Sequence, residues 1–135
     1  MKYLAHRDQE SEREQSLIDH LEKTAELAGQ YAEAFGAYQW GYCAGLLHDI
    51  GKYSQEFQRR IRGSEEQVDH ATAGAQLCHE KKGYYSLLSY CIAGHHAGLA
   101  DTGTRNDRSN MPTLYGRLKK QIPDYNAYKG EIQIP

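Results

Sequence analysis

Leu46-Leu47-His48-Asp49-Ile50-Gly51-Lys52 places an imidazole, a carboxylate and an ammonium directly after an apolar pair. Neighbouring side chains on a helix splay about 100° apart. His48 and Asp49 can therefore face two cations from one turn, with the carboxylate between them. Borderline transition metals favour imidazole nitrogen, and a carboxylate can join two such ions. Working outward, His20 lies upstream, His70 downstream, and His95-His96 sit within Ala93-Gly94-His95-His96-Ala97-Gly98-Leu99. A lone histidine such as His20, at the edge of an apolar stripe, is ordinarily a satisfied boundary residue. Six ligand-type residues, each at an expected helix boundary, point instead to a polar site where helix ends gather. His6 and His79 stand outside this pattern, and His79 beside Glu80-Lys81-Lys82 is expected at the surface.

The periodicity is helical almost throughout. Leu17, Leu21, Ala25, Ala28, Ala32 and Phe35 recur every three or four residues, predicting a helix over 11–35 that faces the core along this stripe. Ser11 and Glu14 form a candidate capping box at its start, and Gly36 ends it. A second helix is expected over 38–49, with Gly51 as a left-handed cap. Ser54 can cap a short third helix that turns Phe57 and Ile61 inward and ends near Gly63. Asp69 can cap a fourth over 70–82, whose small residues Ala71, Ala73, Gly74 and Ala75 permit close helix approach. Gly83 separates it from a fifth over 84–96. No window shows strand alternation. Residues 101–110 read as an exposed loop, Pro112 as the start of a short helix through Leu114 and Leu118, and 121–135 as loop or an end without a packing partner. The fold class is all-α: a compact helical bundle with a metal site at its helix ends.

Composition narrows the function. The 135 residues have room for one domain. A net charge of -2 argues against clamping duplex DNA through the overall field. Local basic groups, Arg59-Arg60-Ile61-Arg62, Lys81-Lys82, Arg105 with Arg108, and Arg117 with Lys119-Lys120, are ordinary solvated faces or a weak grip on nucleic acid delivered by something else. Cys43, Cys78 and Cys91 lack Cys-x-x-Cys spacing and are expected as reduced core residues. The absence of an apolar run near 20 residues and of a secretory signal predicts a cytoplasmic protein with no membrane association. No Gly-x-x-x-x-Gly-Lys-Ser/Thr motif occurs, so the chain carries no such ATP site.

Asp19-His20-Leu21, His48-Asp49-Ile50-Gly51-Lys52, Val68-Asp69-His70-Ala71 and Gly94-His95-His96-Ala97-Gly98-Leu99 together resemble the HD phosphohydrolase superfamily. Gly51-Lys52-Tyr53-Ser54 through Phe57-Gln58, and Asp69 through Ala75, are similar in particular to the HD nuclease domain of the CRISPR-associated helicase-nuclease of type I systems. The resemblance covers roughly residues 17–118. It implies a helical bundle that cleaves single-stranded DNA by hydroxide attack on the phosphodiester, with up to two divalent metal ions. His20, His48 and Asp49 would hold one ion, and Asp49, His70, His95 and His96 the second. Asp49 and Lys52 would be catalytic, Lys52 as a fixed cation on the phosphate; the plainer reading of Lys52 is an exposed lysine after a helix cap. Manganese, iron, cobalt, nickel or zinc suit so many imidazoles better than magnesium, which prefers oxygen-rich octahedra. The implied partners are single-stranded DNA, a helicase domain or subunit, and a CRISPR surveillance complex.

The family completes its first metal site with an aspartate on a later helix. The only aspartates after Leu99 are Asp101, Asp107 and Asp124, none in that helical context. The chain is therefore expected to be a piece of a longer protein, lacking C-terminal helices and the helicase. Two other readings use the same residues: an HD phosphohydrolase of nucleotides or cyclic dinucleotides, and a weakly catalytic recruitment module. The 11 tyrosines could stack bases or simply pack, and do not decide between them.

Overall fold

The computed structural model describes residues 2–135. Among the described residues the fold is an all-α bundle of six helices with little strand, in the order β1 (Leu4–Arg7), β2 (Glu14–Ser16), α1 (Leu17–Glu33), α2 (Tyr38–Leu47), α3 (Gln55–Ile61), α4 (Thr72–Lys81), α5 (Tyr85–Ala93) and α6 (Leu114–Leu118). Two 3-10 turns, Ile50–Tyr53 and Asn126–Gly130, complete it.

The antiparallel hairpin β1–β2 corrects the reading of the N-terminus. Its register pairs Leu4 with Ser16, His6 with Gln15 and Arg7 with Glu14, and is irregular between Leu4 and His6. That irregularity turns both Leu4 and Ala5 into the core, each 1% exposed, so no alternation shows in the sequence. Ser11 does not cap a helix: its hydroxyl bonds the Asp8 carboxylate within the hairpin turn. The helix begins at Leu17, where Ser16 Oγ accepts the Asp19 amide hydrogen.

α1 buries Leu17, Leu21, Ala25, Gly29 and Ala32. Each fully buried leucine contributes about 1.5–3 kcal/mol. Phe35, expected on this stripe, lies beyond the helix and is exposed, because the chain turns at Gly36 (φ +73°). α2 lies directly against α1. A Cβ at Gly45 would stand 2.6 Å from the Thr24 carbonyl oxygen, so only glycine permits this approach. The contact brings the first turn of α1 beside the end of α2.

α2 stops at Leu47, and Gly51 is not a left-handed cap. It lies inside the 3-10 turn, where its missing side chain lets the backbone approach His70: a Cβ there would meet the His70 carbonyl oxygen at 2.3 Å. Ser54 Oγ accepts the Phe57 amide hydrogen and starts α3 as expected. Phe57 is buried, whereas Ile61 is only half-buried. α4 runs from Thr72 and not from His70, and Asp69 caps its entry as expected, its carboxylate accepting the amide hydrogens of Ala71 and Thr72. The small face Ala71, Ala73, Gly74 and Ala75 is fully packed. α5 ends at Ala93, leaving His95 and His96 in the following turn.

The last residues also depart from expectation. Tyr128 and Ile132 enter the main core at 8% and 7% exposure, and Tyr53 donates to Glu131 at 2.8 Å. Cys43 and Cys78 are buried free thiols, but Cys91 is exposed. His79 is at the surface. Among the described residues no helix is long and apolar enough to cross a membrane.

Candidate metal centre

Asp49 stands between the end of α2 and the 3-10 turn and is only 4% exposed. A carboxylate buried to that depth requires positive or hydrogen-bonding neighbours. Its two oxygens meet separate groups. Oδ2 lies 3.2 Å from each of His20 Nε2, His48 Nε2 and Lys52 Nζ. Oδ1 lies 3.1 Å from His95 Nε2, 3.6 Å from His70 Nε2 and 3.9 Å from His96 Nε2. His70 Nε2 and His96 Nε2 are 3.0 Å apart.

The elements supply these side chains from four directions. His20 comes from the first turn of α1, His48 from the end of α2, His70 from the segment before α4, and His95 and His96 from the turn after α5. Two imidazoles are oriented by the backbone. His48 Nδ1 lies 2.6 Å from the Gly45 carbonyl oxygen, and His95 Nδ1 lies 2.6 Å from that of Ile92. A carbonyl only accepts, so both Nδ1 atoms carry the proton and both Nε2 atoms are turned to Asp49.

Electrostatics agree with a cation site. Burial disfavours the charged form of Asp49, but the bonds from His20, His48 and His95 outweigh it and hold the carboxyl well below the usual range. Burial pushes His70 down to about 4, leaving it neutral near pH 7, the form that ligates a metal. Burial and then the adjacent His95 lower His96. His95 moves the other way: burial is outweighed by its bonds to Asp49 and the Ile92 carbonyl.

The residues fit divalent ions. Two ligand atoms each about 2.1 Å from one ion are separated by roughly 3.0–3.4 Å, the range of the shortest separations around Asp49. Nitrogen lone pairs aimed at each other and at a carboxylate need a cation or a proton between them. Two groups can hold an ion, His20/His48/Asp49 and Asp49/His70/His96, with ligand atoms within 4.8 Å of one another in each. His95 lies outside the second trio but reaches the same Asp49 oxygen. All six candidate ligands are thus brought together. The later aspartates are not: Asp107 is committed to Thr104 and Thr113, and neither Asp101 nor Asp124 belongs to either group.

Lys52 is not the exposed lysine of the plainer reading. It is 5% exposed, donates to the Ala5 carbonyl at 3.2 Å, pairs with Asp49, and lies over the Phe57 ring at 5.3 Å. It also lines a cleft of about 400 Å³ beside the cluster, with Ala5, His6, Arg7, Phe57 and Arg60 among its walls. On the other side, His70 and His96 line a second cleft of about 380 Å³ with Asp69, Arg117 and Lys120.

His6 is the neighbour that sequence reasoning missed. Its ring packs edge-on against His20 at 4.9 Å between centroids. Burial, then the charge of Lys52, lowers its pKa. It reaches the site only because the hairpin folds back, and no spacing pattern encodes that contact.

No curated protein matches the chain. The family model described as HD domain matches residues 17–126, most of the chain and every one of the six candidate ligands. The chain belongs to the HD-domain family, a superfamily of metal-dependent phosphohydrolases.

Proposed function

We propose that this protein is a metal-dependent nuclease that cleaves single-stranded DNA in CRISPR interference, working with a helicase domain or subunit and a surveillance complex. The observation that carries the nuclease reading is that the partners of Asp49 line two open clefts, Lys52 one of about 400 Å³ and His70 with His96 one of about 380 Å³. A strand can lie across such a site and extend beyond the scissile bond in both directions, whereas a mononucleotide hydrolase is better served by a closed chamber. The CRISPR context and the partners rest on the sequence resemblance.

In this reading His20, His48 and Asp49 hold one ion, and Asp49, His70, His95 and His96 the other. Bound there, divalent ions supply Lewis-acid chemistry, neutralising charge on the phosphate oxygens and making hydroxide available at neutral pH. The imidazole-rich donor set favours manganese, iron, cobalt, nickel or zinc over magnesium. The protein's own contribution is positional. The Gly45 and Ile92 carbonyls lock the His48 and His95 rings, Asp49 spans both halves, and Lys52 fixes and charge-balances that carboxylate from beneath.

Incubation with manganese and circular single-stranded DNA, beside duplex DNA, nucleotides and cyclic dinucleotides, tests the proposal. Nicking of the circle is expected. Hydrolysis of nucleotides alone makes the protein a nucleotide phosphohydrolase, and inactivity on every substrate with every transition metal makes it a recruitment module.

A further inference from the structure

The two clefts beside the cluster both contain basic residues, but their cations are not equivalent. In the second cleft, Arg117 is spent on the Ala93 carbonyl and on Thr72 Oγ1 at 2.9 Å, and Lys120 pairs with Asp69 at 2.7 Å. These groups tie α6 and its following turn to α4 and α5. In the first cleft the walls are Ala5, His6, Arg7, Gln9, Lys52, Phe57, Arg60 and Ile61, without a single carboxylate. Lys52 is neutralised by Asp49. Arg60 donates only to the Ser64 carbonyl, at 3.3 Å, whereas its neighbour Arg59 faces both Glu56 and Glu66. The Arg7 Nε is buried and has no hydrogen-bond partner among the described residues. A buried donor left without an acceptor costs free energy, so this guanidinium is not spent on a partner within the fold.

The cleft is also rigid where it matters. Gln58, 1% exposed, receives the Leu4 amide hydrogen at 2.9 Å and donates to the Leu4 carbonyl at 2.9 Å and the Lys52 carbonyl at 2.8 Å. This buried amide clamps β1 to α3 and to the 3-10 turn. Arg7 on β1 and Arg60 on α3 are thereby carried by two elements fixed to each other, and both line the cleft that Lys52, the partner of Asp49, also lines.

We infer that the Arg7–Arg60 cleft is a phosphate subsite that grips the substrate strand on one side of the cleaved bond. Guanidinium groups present paired N–H donors in a planar fork that matches phosphate oxygens, so two of them across an acid-free cleft form a phosphodiester clamp. The grip is one-sided: the strand is held at the Arg7–Arg60 cleft and merely accommodated at the Arg117–Lys120 cleft. A chain with net charge -2 would thus hold a polyanion through a small local field and not through its overall charge. This assignment rests on the single-strand nuclease reading for the identity of the strand, but not for the phosphate chemistry.

Fluorescence anisotropy in the presence of EDTA separates the two, since it reads binding without turnover. The probes are labelled oligothymidylate and labelled thymidine triphosphate, and the variants are Arg7→Gln/Arg60→Gln, Arg59→Gln and Lys120→Gln, each checked for native circular dichroism. For the strand, the double variant is expected to lose at least tenfold in affinity. Its log–log salt slope should fall by about 1.4, two phosphate contacts at roughly 0.7 each on single strands. Arg59→Gln and Lys120→Gln should stay within twofold. Strand binding unchanged in the double variant overturns the subsite and leaves the nuclease reading standing. Triphosphate binding that depends on Arg7 and Arg60, without strand binding, upholds the subsite and defeats the single-strand reading. If the wild-type chain binds neither probe, the subsite is wrong.

Discussion

On the Oδ2 side of Asp49 stand His20 and His48, carried by the closely packed helices α1 and α2, with the buried ammonium of Lys52 at 3.2 Å. On the Oδ1 side stand His70, His95 and His96, all from segments between helices, where the Lys52 charge still acts on each imidazole. Side-chain exposure is even at 17–21% for His20, His48, His70 and His95, and only His96 on the Oδ1 side stands out, at 56%. The first half offers two imidazoles and opposes an incoming cation with Lys52. The second offers three imidazoles and a more open approach. We expect these groups to form two unequal ion sites that share one carboxylate, the Oδ1 side being the tighter.

The severest way to break this comparison is to remove what the halves share. Asp49→Ala should lose both ions and reduce strand cleavage at least a hundredfold, a loss of about 3 kcal/mol of transition-state stabilisation. Single-turnover kinetics and metal analysis check it. Near-native turnover in folded Asp49→Ala protein would remove the bridging role.

Lys52→Met should sharpen the inequality. Activity should fall less than in Asp49→Ala, because one contact is lost and not both ions. Stability should drop by roughly 1.5–3 kcal/mol, since a charged hydrogen bond to the Ala5 carbonyl disappears. The Oδ2 side should bind its ion more tightly once the opposing ammonium is gone. Urea melts and metal titration read these effects separately, and weaker binding on the Oδ2 side would contradict the opposition.

Gly51→Ala attacks one half alone. The new methyl would meet the His70 carbonyl oxygen at 2.3 Å, so the His70 segment must move. A cost of about 1–3 kcal/mol is expected for such overpacking, with weaker binding on the Oδ1 side and little change on the other. Equal weakening of both halves would show that they are not independent.

Much of the centre was legible because its residues lie at helix boundaries that carry their own signals. The His48-Asp49 pair follows an apolar run, and His95-His96 close the run expected as the fifth helix, although that helix stops at Ala93. The half borne by α1 and α2 was the easier to place, since helical spacing fixes His20 relative to the Leu17–Leu21 stripe. What was not legible depends on contacts distant in sequence. The hairpin hid behind its irregular register, which buries Leu4 and Ala5 together, and with it went the approach of His6 and Arg7 to the site. Lys52 read as a fixed cation on the phosphate, or more plainly as an exposed lysine, because nothing local shows that Ala5 and Asp49 enclose it. Tyr128 and Ile132 carry a four-residue spacing, but the apolar periodicity fails over 121–135 as a whole and suggested a loop or an unpacked end.

The smallest expected effect concerns the rim of the Oδ1 half. Burial works against ionisation of Asp69, but its bonds to Lys120 and Thr72 outweigh this and hold the carboxyl near 2. The unfolded chain therefore takes up this proton first. The pair's stabilising contribution is complete above about pH 4, and is lost as pH falls toward 2. Lys120→Met should remove about 1 kcal/mol or less, the pair being partly exposed. Urea melts of both proteins between pH 2 and 7 should converge at the acid end; a constant gap would assign the effect to packing.

The most direct test of the centre itself is calorimetric titration of the metal-free chain with nickel at neutral pH, repeated on His96→Ala and His20→Ala. The account predicts two ions per chain, the first at least tenfold tighter than the second. The tight phase should be weakened by His96→Ala and the weak phase by His20→Ala. Two equally tight ions would contradict the unequal halves, and no binding in any of the three proteins would remove the metal centre altogether.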